Sequence, residues 1–430
     1  MTRTLVRTAH TGTPHKGHVG ANPVRDFLQT KSLPYGVAAA SAIPIKFHVA
    51  MLNLGHVLAL LILPVILRSV PRSAPLRFIS LSFLLALVSG VVLTLLPSPS
   101  FDQPALRTVL SEVIFLVVML LTILTAYWLA SNLGLFQAAL LLGIARILYE
   151  LLSPGDWKTN IWKYALGFPS VVALFGAARG RWRHTLFALA VIVGLSIQYG
   201  FRSLIFEAGA GVMLAAILIK TSSQEVNFSL WLRRAAAVAL VLVASWVGYT
   251  NLAANGYLGH DIQARHEKQS RQVGDFLLSA RPEREVTAAL ARARPQGYGF
   301  GYVPTGDDVA RGQYALTIHQ IVGNDGYVSY LLNTKIELHS VAADLWAQTG
   351  IGGIILSLAL AGTAIAGVIG RRATGGWMAL TGFLGVRALW DLGFSPISTN
   401  GLDIALCIGL LIGSPAFLLG SRQPSQDVIR

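Results

Sequence analysis

Three side chains carry the chemical interest of this chain: Arg202, Arg281 and His339. His339 follows Glu337-Leu338 and opens the run Ser340-Val-Ala-Ala-Asp-Leu-Trp-Ala-Gln-Thr-Gly-Ile-Gly-Gly, which sets it at or near a helix N-terminus. There the helix dipole disfavours an imidazolium, and a neutral imidazole can accept a proton from a hydroxyl. The same helix end attracts an anion. Arg202 begins an apolar segment (YGFRSLIFEAGAG), with Glu207 five residues on and poorly placed to meet it. A guanidinium there suits a phosphate, because its fork donates two parallel hydrogen bonds. Each residue also has a plainer reading. A loop histidine is commonly just a surface polar group, as His260, His266 and His319 in the same loop illustrate, and an arginine at this depth can anchor a lipid headgroup.

The elements that must hold these groups are apolar. Hydrophobic residues make up 53% of the chain and charged residues 13%, with mean hydropathy +0.58. A soluble domain carries about 25% charged residues. The deficit sits in runs near the length that crosses a bilayer. They read at 33–45 (short and weak), 48–67, 77–97, 108–130, 133–152, 161–178, 184–200, 203–219, 233–250, 340–369, 375–392 and 401–420, twelve in all. The predicted class is an all-α polytopic membrane protein, with transmembrane helices 1–9 over 33–250 and 10–12 over 339–420. Residues 1–32 are polar and basic and read as a disordered cytoplasmic tail, and 421–430 read as a cytoplasmic tail. The single cysteine, Cys407, lies in an apolar run, so an intrachain disulfide is excluded.

Charge fixes the orientation. Connections assigned to the inside hold Arg68, Arg72 and Arg77; Arg179, Arg181 and Arg183; Lys220, Arg233 and Arg234; and Arg371 and Arg372. The short outside connections 98–107, 153–160 and 393–400 hold only Arg107 and Lys158, balanced by Asp102 and Asp156. By the positive-inside rule both termini are cytoplasmic, and residues 251–338 face outward. This rule also absorbs about half of the positive charge behind the formal net charge of +14, so nucleic-acid binding is not expected.

The outer segment is a polar island, with nine Lys/Arg and nine Asp/Glu between 251 and 338. Residues 264–280 alternate charged and apolar groups at helical spacing. Ser279, Pro282, Glu283 and Glu285 then signal the start of an amphipathic helix that runs to Arg294 and ends at Pro295. Gly297-Tyr298-Gly299-Phe300-Gly301 reads as a flexible turn against which an aromatic or a substrate could pack. Within the spans, Arg146 and Glu150, and Arg387 and Asp391, lie four apart and can pair on one helix face. Lys163 can snorkel to the interface. The pairs read first as structural ion pairs, and intramembrane charge always raises a functional alternative. Polar steps through the midplane are few, and the glycines at 209, 211, 350, 352 and 353 suit close helix packing. The loop histidines lack metal-ligand spacing, and no phosphate-loop or dinucleotide fingerprint occurs.

Three pieces, in order, carry a resemblance. They are Phe201-Arg202-Ser203; then Ser279-Ala280-Arg281 leading to Pro295-Gln296-Gly297-Tyr298-Gly299-Phe300-Gly301; then His339 with Ala347-Gln348-Thr349-Gly350-Ile351-Gly352-Gly353. This pattern, over about 195–420, resembles the O-antigen ligase family, which includes O-antigen and exopolysaccharide polymerases. The resemblance implies a GT-C-like architecture with about twelve spans and a large helical periplasmic loop. It implies an inverting glycosyltransferase of the bacterial inner membrane whose donor is an undecaprenyl-diphosphate-linked glycan and whose acceptor is lipid A–core or another lipid-linked repeat. No cofactor or metal is implied. Arg202 and Arg281 would meet the charge of the leaving diphosphate, and His339 would activate or orient the acceptor hydroxyl. Arg265, Arg271, Lys163, Arg146 and Tyr298 are further candidates for contacting substrate. Two positions depart from the family pattern: Ser340 stands where Asn is usual, and Gln348 where Glu is usual. Ligase and polymerase both remain open, as does a transporter of lipid-linked glycan, for which paired repeats and broken midplane helices would be expected.

Overall fold

The computed structural model describes residues 32–45, 52–68, 74–96, 106–153, 160–218, 250–260, 282–318, 325–370 and 378–413, with scattered positions between 236 and 267. The described parts are mostly helical, joined by turns and irregular stretches such as 294–305 and 332–340, and the strand content among them is one two-residue antiparallel pair, Pro44–Ile45 with Leu52–Asn53. Among the described residues, four helices are long and apolar enough to cross a membrane: α4 (Ala74–Leu95), α5 (Leu106–Leu133), α6 (Leu135–Leu152) and α13 (Val341–Gly370). Between them in sequence lie α7 (Gly167–Ala178), preceded by a π-helical turn Trp162–Leu166, α8 (Trp182–Gln198) and α9 (Arg202–Leu218); α14 (Met378–Phe394) and α15 (Ile397–Ile412) close the bundle. The apolar run expected at 233–250 falls largely outside the described residues.

The composition of α4 explains its surroundings. Phe78, Leu81, Leu85, Val88, Val92 and Leu95 form an exposed stripe, while Leu76, Ile79, Phe83, Ala86 and Gly90 face the core. A helix apolar on both sides needs protein on one and hydrocarbon on the other. Its 22 residues span about 33 Å at 1.5 Å per residue, the thickness of a bilayer core. The helix packs against α13, α9 packs against α14, and α5 against α15. Gly211 brings α9 onto the α14 backbone, where an added Cβ would lie 2.4 Å from the Phe383 nitrogen, and Gly352 does the same between α13 and α4. Both serve the close packing expected of them.

The first two apolar runs depart from simple spans. Residues 33–45 give only the nine-residue α1 (Ser32–Ala40) before the strand pair. Residues 48–67 break into α2 (Leu54–Leu61) and α3 (Leu63–Leu67) at Ile62, because Pro64 lacks the N–H that would continue the ladder.

Three loop helices, α10 (Glu283–Ala293), α11 (Gly306–Ile318) and α12 (Asp325–Leu331), surround a second core of Val286, Leu290, Leu316, Val328, Leu331 and Leu332. The amphipathic helix begins after Pro282 with both acids in its first turn, and Arg294 terminates it, as the sequence signals. Thr305 and Asp308 form a capping box at α11. The Thr305 hydroxyl accepts from the Asp308 N–H (3.3 Å), and the Asp308 carboxylate accepts from the Thr305 N–H (3.0 Å).

The expectation of a flexible turn at 297–301 is corrected. Left-handed backbone at Gly297, Gly299 and Gly301 threads this segment against the helices. An added Cβ would lie 2.6 Å from the Trp346 carbonyl at Gly297 and 2.9 Å from the Thr94 nitrogen at Gly299. The Tyr298 and Gly299 amides donate to the Ala347 carbonyl at 2.8 and 3.2 Å, the Phe300 amide to the Thr94 hydroxyl at 2.8 Å, and the Gly301 amide to the Glu112 carboxylate at 2.7 Å. The partner surface is shaped for this by a break in α13. Gly350 has φ 59° and ψ −133°, which interrupts the helix, and the Thr349 carbonyl accepts from the Ser89 hydroxyl at 2.7 Å. Gly350 therefore both breaks the helix and packs closely, an added Cβ there lying 2.2 Å from the Gln296 carbonyl. The loop plugs the break, so polar backbone within the bundle is satisfied by protein.

Candidate functional site

His339 lies two residues before α13, with φ 53°, one of two described non-glycine residues in left-handed backbone. Such a conformation costs about 1–3 kcal/mol and persists only where the surroundings impose it. Three contacts do so. Ser340 caps the helix, its hydroxyl accepting from the Ala343 amide (3.2 Å) and donating to the Leu392 carbonyl (2.8 Å). Asp344, wholly buried, accepts from the Leu338 amide at 2.6 Å and from the Ile397 amide at 2.9 Å. The Ser398 hydroxyl bonds to the Glu337 carboxylate, which also pairs with Lys335 at 3.3 Å. The residues on both sides of His339 are thus tied to the α14–α15 connection.

The His339 ring meets Tyr330 edge-on, centroids 5.2 Å apart and planes at 75°. Tyr330 is backed by Tyr327 (6.4 Å), whose hydroxyl donates to Glu283 at 2.7 Å. Partial burial, Glu337 and Tyr164 hold the Tyr330 hydroxyl above its ordinary range, with Lys335 opposing. Tyr164 comes from the π-helical turn, and the Lys163 ammonium lies 5.0 Å from its ring centre. Asn160 fixes that turn, accepting from the Lys163 amide (2.9 Å) and donating to the Tyr199 carbonyl (2.7 Å). π-turns recur at functional sites. Residues from two distant parts of the chain (327–344 and 397–398) therefore share one end of the bundle.

Beneath this end lies a buried ionic network. Arg387 meets Glu207 of α9 at 2.8 Å and donates to Asn400 of α15 at 2.8 Å. It lies 3.5 Å from Asp403 and 2.7 Å from Asp391. The Asp391 contact is close but misaligned, so it is an ion pair and not a hydrogen bond. Three carboxylates thus share one guanidinium that also stacks over Phe168 (5.3 Å). Arg146 and Glu150 form the predicted pair at 2.7 Å. Arg146 and Asp403 also line a cavity of about 60 Å³ with His56, Thr122, Thr125 and Ser41. The Thr122 hydroxyl donates to the Val118 carbonyl (2.8 Å), and the Asn53 amide donates to His56 Nδ1 (3.2 Å). His56 Nε2, at 3.0 Å, must then be the donor to Thr122. Polar groups inside the bundle are more numerous than the sequence reading allowed, because Glu207 and Asp403 meet Arg387, and His56 meets Thr122, across helices.

The predicted site residues divide. His339 lies at the polar end just described, and Lys163 on the π-helical turn. Arg202 is half-buried in the first turn of α9, one turn before Phe206, which packs against Trp390 of α14 (5.6 Å). Glu207 pairs with Arg387. Arg146 sits at the separate cavity. Tyr298 is buried in the loop core, tilted against Tyr302 (4.7 Å) and edge-on to Trp346 (6.0 Å), with its hydroxyl directed to the Leu290 carbonyl (3.4 Å). Arg265, Arg271 and Arg281 lie outside the described residues. Sequence reasoning missed Asp344, although an acid in the first turn after Ser340 is a capping signal, and it missed the two tyrosines, which carry no local signal.

No protein-family model, curated protein or solved structure matches the chain. Fold and site by themselves define a helical protein that has, among the described residues, four helices long and apolar enough to cross a membrane and a polar segment folded on its own small core.

Proposed function

We propose that this chain is a membrane glycan ligase. It transfers a polysaccharide from undecaprenyl diphosphate to an acceptor such as lipid A–core at the outer face of the inner membrane. The observation that carries this reading is His339, held in a strained conformation beside exposed polar groups at the end of the bundle where α9 begins with Arg202. In this reading twelve spans put both termini in the cytoplasm and the loop in the periplasm. Arg202 and Arg281 meet the diphosphate charge as the glycosidic bond to phosphate breaks. His339 accepts or directs the proton of the acceptor hydroxyl that attacks the anomeric carbon, inverting it. Polymerisation of lipid-linked repeats uses the same chemistry with a different acceptor.

The test is transfer by the purified protein, wild type and His339→Ala, from undecaprenyl-diphosphate glycan to lipid A–core or to a second lipid-linked repeat. Product on lipid A–core, lost in the variant, supports the ligase. Multimers alone support the polymerase. One pair of observations favours a second reading, transport of lipid-linked glycan: α13 is broken at Gly350, and Arg387 is buried with three carboxylates. Translocation without transfer would establish that reading instead.

A further inference from the structure

The buried Arg387 guanidinium is approached by Glu207 of α9, Asp391 of α14 and Asp403 of α15, at 2.8, 2.7 and 3.5 Å. Glu207 and Asp391 are fully buried. The charges do not balance. Three carboxylates against one guanidinium leave two negative charges in excess when all are ionised. The remaining neighbours are neutral: the Asn400 side-chain oxygen accepts from Arg387, the Ser395 hydroxyl donates to Asp391 at 2.6 Å, and the Phe168 ring covers the guanidinium. Donors are also too few. Among the described residues, Glu207 Oε1 and Asp391 Oδ2 are buried oxygens that receive no hydrogen bond.

Among the described residues around the cluster, no spare cation repairs this. Arg146 of α6 is committed to Glu150 at 2.7 Å. His56 of α2 accepts the Asn53 amide on Nδ1 and donates through Nε2, which is the neutral ring. Asp344 of α13 is engaged by the Leu338 and Ile397 amides, and Cys407, one turn past Asp403, is a buried thiol. No group of His, Cys, Asp or Glu among the described residues is placed to hold a metal ion. An uncompensated buried carboxylate is costly and takes up a proton instead of staying ionised. A proton needs no cavity of its own, and it turns an acceptor oxygen into a donor. It does need a way in. Asp403 lines the cavity of about 60 Å³ together with Arg146 and the hydroxyl-bearing Ser41, Thr122 and Thr125. That is polar enough, and larger than the roughly 30 Å³ a water occupies in the liquid. Arg146 and Glu150 keep 19% and 16% of their side chains exposed, so the polar lining reaches from the protein surface to the cluster.

We propose that the Arg387 cluster is a proton-binding site, in which Glu207, Asp391 and Asp403 jointly hold at least one exchangeable proton, and that the cavity beside Asp403 is the hydrated route by which it enters and leaves. Intramembrane acids of this kind mark proton sites in other membrane proteins. The proton belongs to the cluster and not to one residue, because three carboxylates around one guanidinium titrate together. The inference is independent of glycan transfer.

The experiment is infrared difference spectroscopy of the full-length protein in nanodiscs, between neutral and alkaline pH, in ordinary and in heavy water. The wild type should show the C=O stretch of a protonated carboxyl at neutral pH, shifted in heavy water and lost as the pH rises. Glu207→Gln with Asp391→Asn leaves Asp403 alone with Arg387, one charge of each sign, so the band should disappear. Amides keep the shape of protonated carboxyls, and each single variant should already lose part or all of the band, which decides the matter if the double variant does not fold. A wild type without the band, or a band that survives these variants unchanged, overturns the proton site. Thr125→Leu fills the cavity with an apolar side chain and should slow the heavy-water shift about tenfold, a barrier about 1.4 kcal/mol higher. An unchanged rate overturns the cavity as the route.

Discussion

Replacing Asp344 with Asn tests whether the left-handed His339 is held by the bonds that flank it. Asp344 is fully buried, and its two oxygens receive the Leu338 amide at 2.6 Å and the Ile397 amide at 2.9 Å. Hydrogen bonds to a charged group contribute about 1.5–3 kcal/mol each. Asn keeps one acceptor oxygen and turns an NH2 toward the second amide, so one bond is lost and one buried N–H is stranded. The stranded buried donor alone costs about 1–3 kcal/mol, so a loss of about 2 kcal/mol is a conservative value. If it falls on Leu338, the φ 53° conformer of His339 is depopulated by about thirtyfold, at 1.4 kcal/mol per decade. Turnover in the transfer assay should fall by that factor, with little change in donor KM. The readout independent of activity is amide hydrogen exchange at Leu338 and Ile397, which should quicken at one or both positions. Unchanged exchange at both amides, with the variant folded, would refute the staple. Accelerated exchange with normal turnover would instead detach His339 from catalysis.

Four further outcomes are expected. Arg387→Met leaves Glu207, Asp391 and Asp403 buried without their shared cation, costing about 3–5 kcal/mol, the cost of breaking a buried pair; a melting temperature in detergent equal to wild type would contradict this. Gly350→Ala puts a Cβ 2.2 Å from the Gln296 carbonyl at φ 59°, so protease sensitivity of the 295–301 segment should rise. Burial alone would raise the Asp308 carboxyl, but bonds from Tyr302 and from the Thr305 amide and hydroxyl, with Arg294 nearby, hold it below its ordinary 3.8. Its contribution is therefore present above pH 3.8 and lost as pH falls through the lower folded value; hydrogen exchange in α11 should quicken over that window, and Asp308→Asn should abolish the dependence. A cysteine at the exposed Gly306 should react with a membrane-impermeant reagent in intact spheroplasts; protection would reverse the orientation argued from charge.

Much of the helical frame is legible in the sequence because hydrocarbon imposes it. An apolar run near twenty residues must satisfy its backbone internally, so α4, α5, α6 and α13 fall within two or three residues of the expected runs at most ends. Local chemistry equally announces α10: Pro282, two acids and a closing Arg294-Pro295 are signals a short window contains. The sequence also nominated His339, since a histidine between a polar island and an apolar run marks itself. What it could not announce depends on partners distant in the chain. Glu207 is five residues from Arg202 but pairs with Arg387, 180 positions away, because helix packing and not spacing brings α9 onto α14. The glycine-rich segment reads as flexible from composition, yet it is packed and hydrogen-bonded because its amides meet the Ala347 carbonyl beside the break at Gly350, the Thr94 hydroxyl and the Glu112 carboxylate. Tyr330 comes beside His339 only when the loop helix α12 packs at the start of α13. By itself, then, the sequence determined the long apolar helices α4, α5, α6 and α13, the amphipathic α10, and which residues carry charge. Tertiary structure alone decided which charges neutralise one another and which rings stand beside His339, because those energies depend on distances that only packing sets.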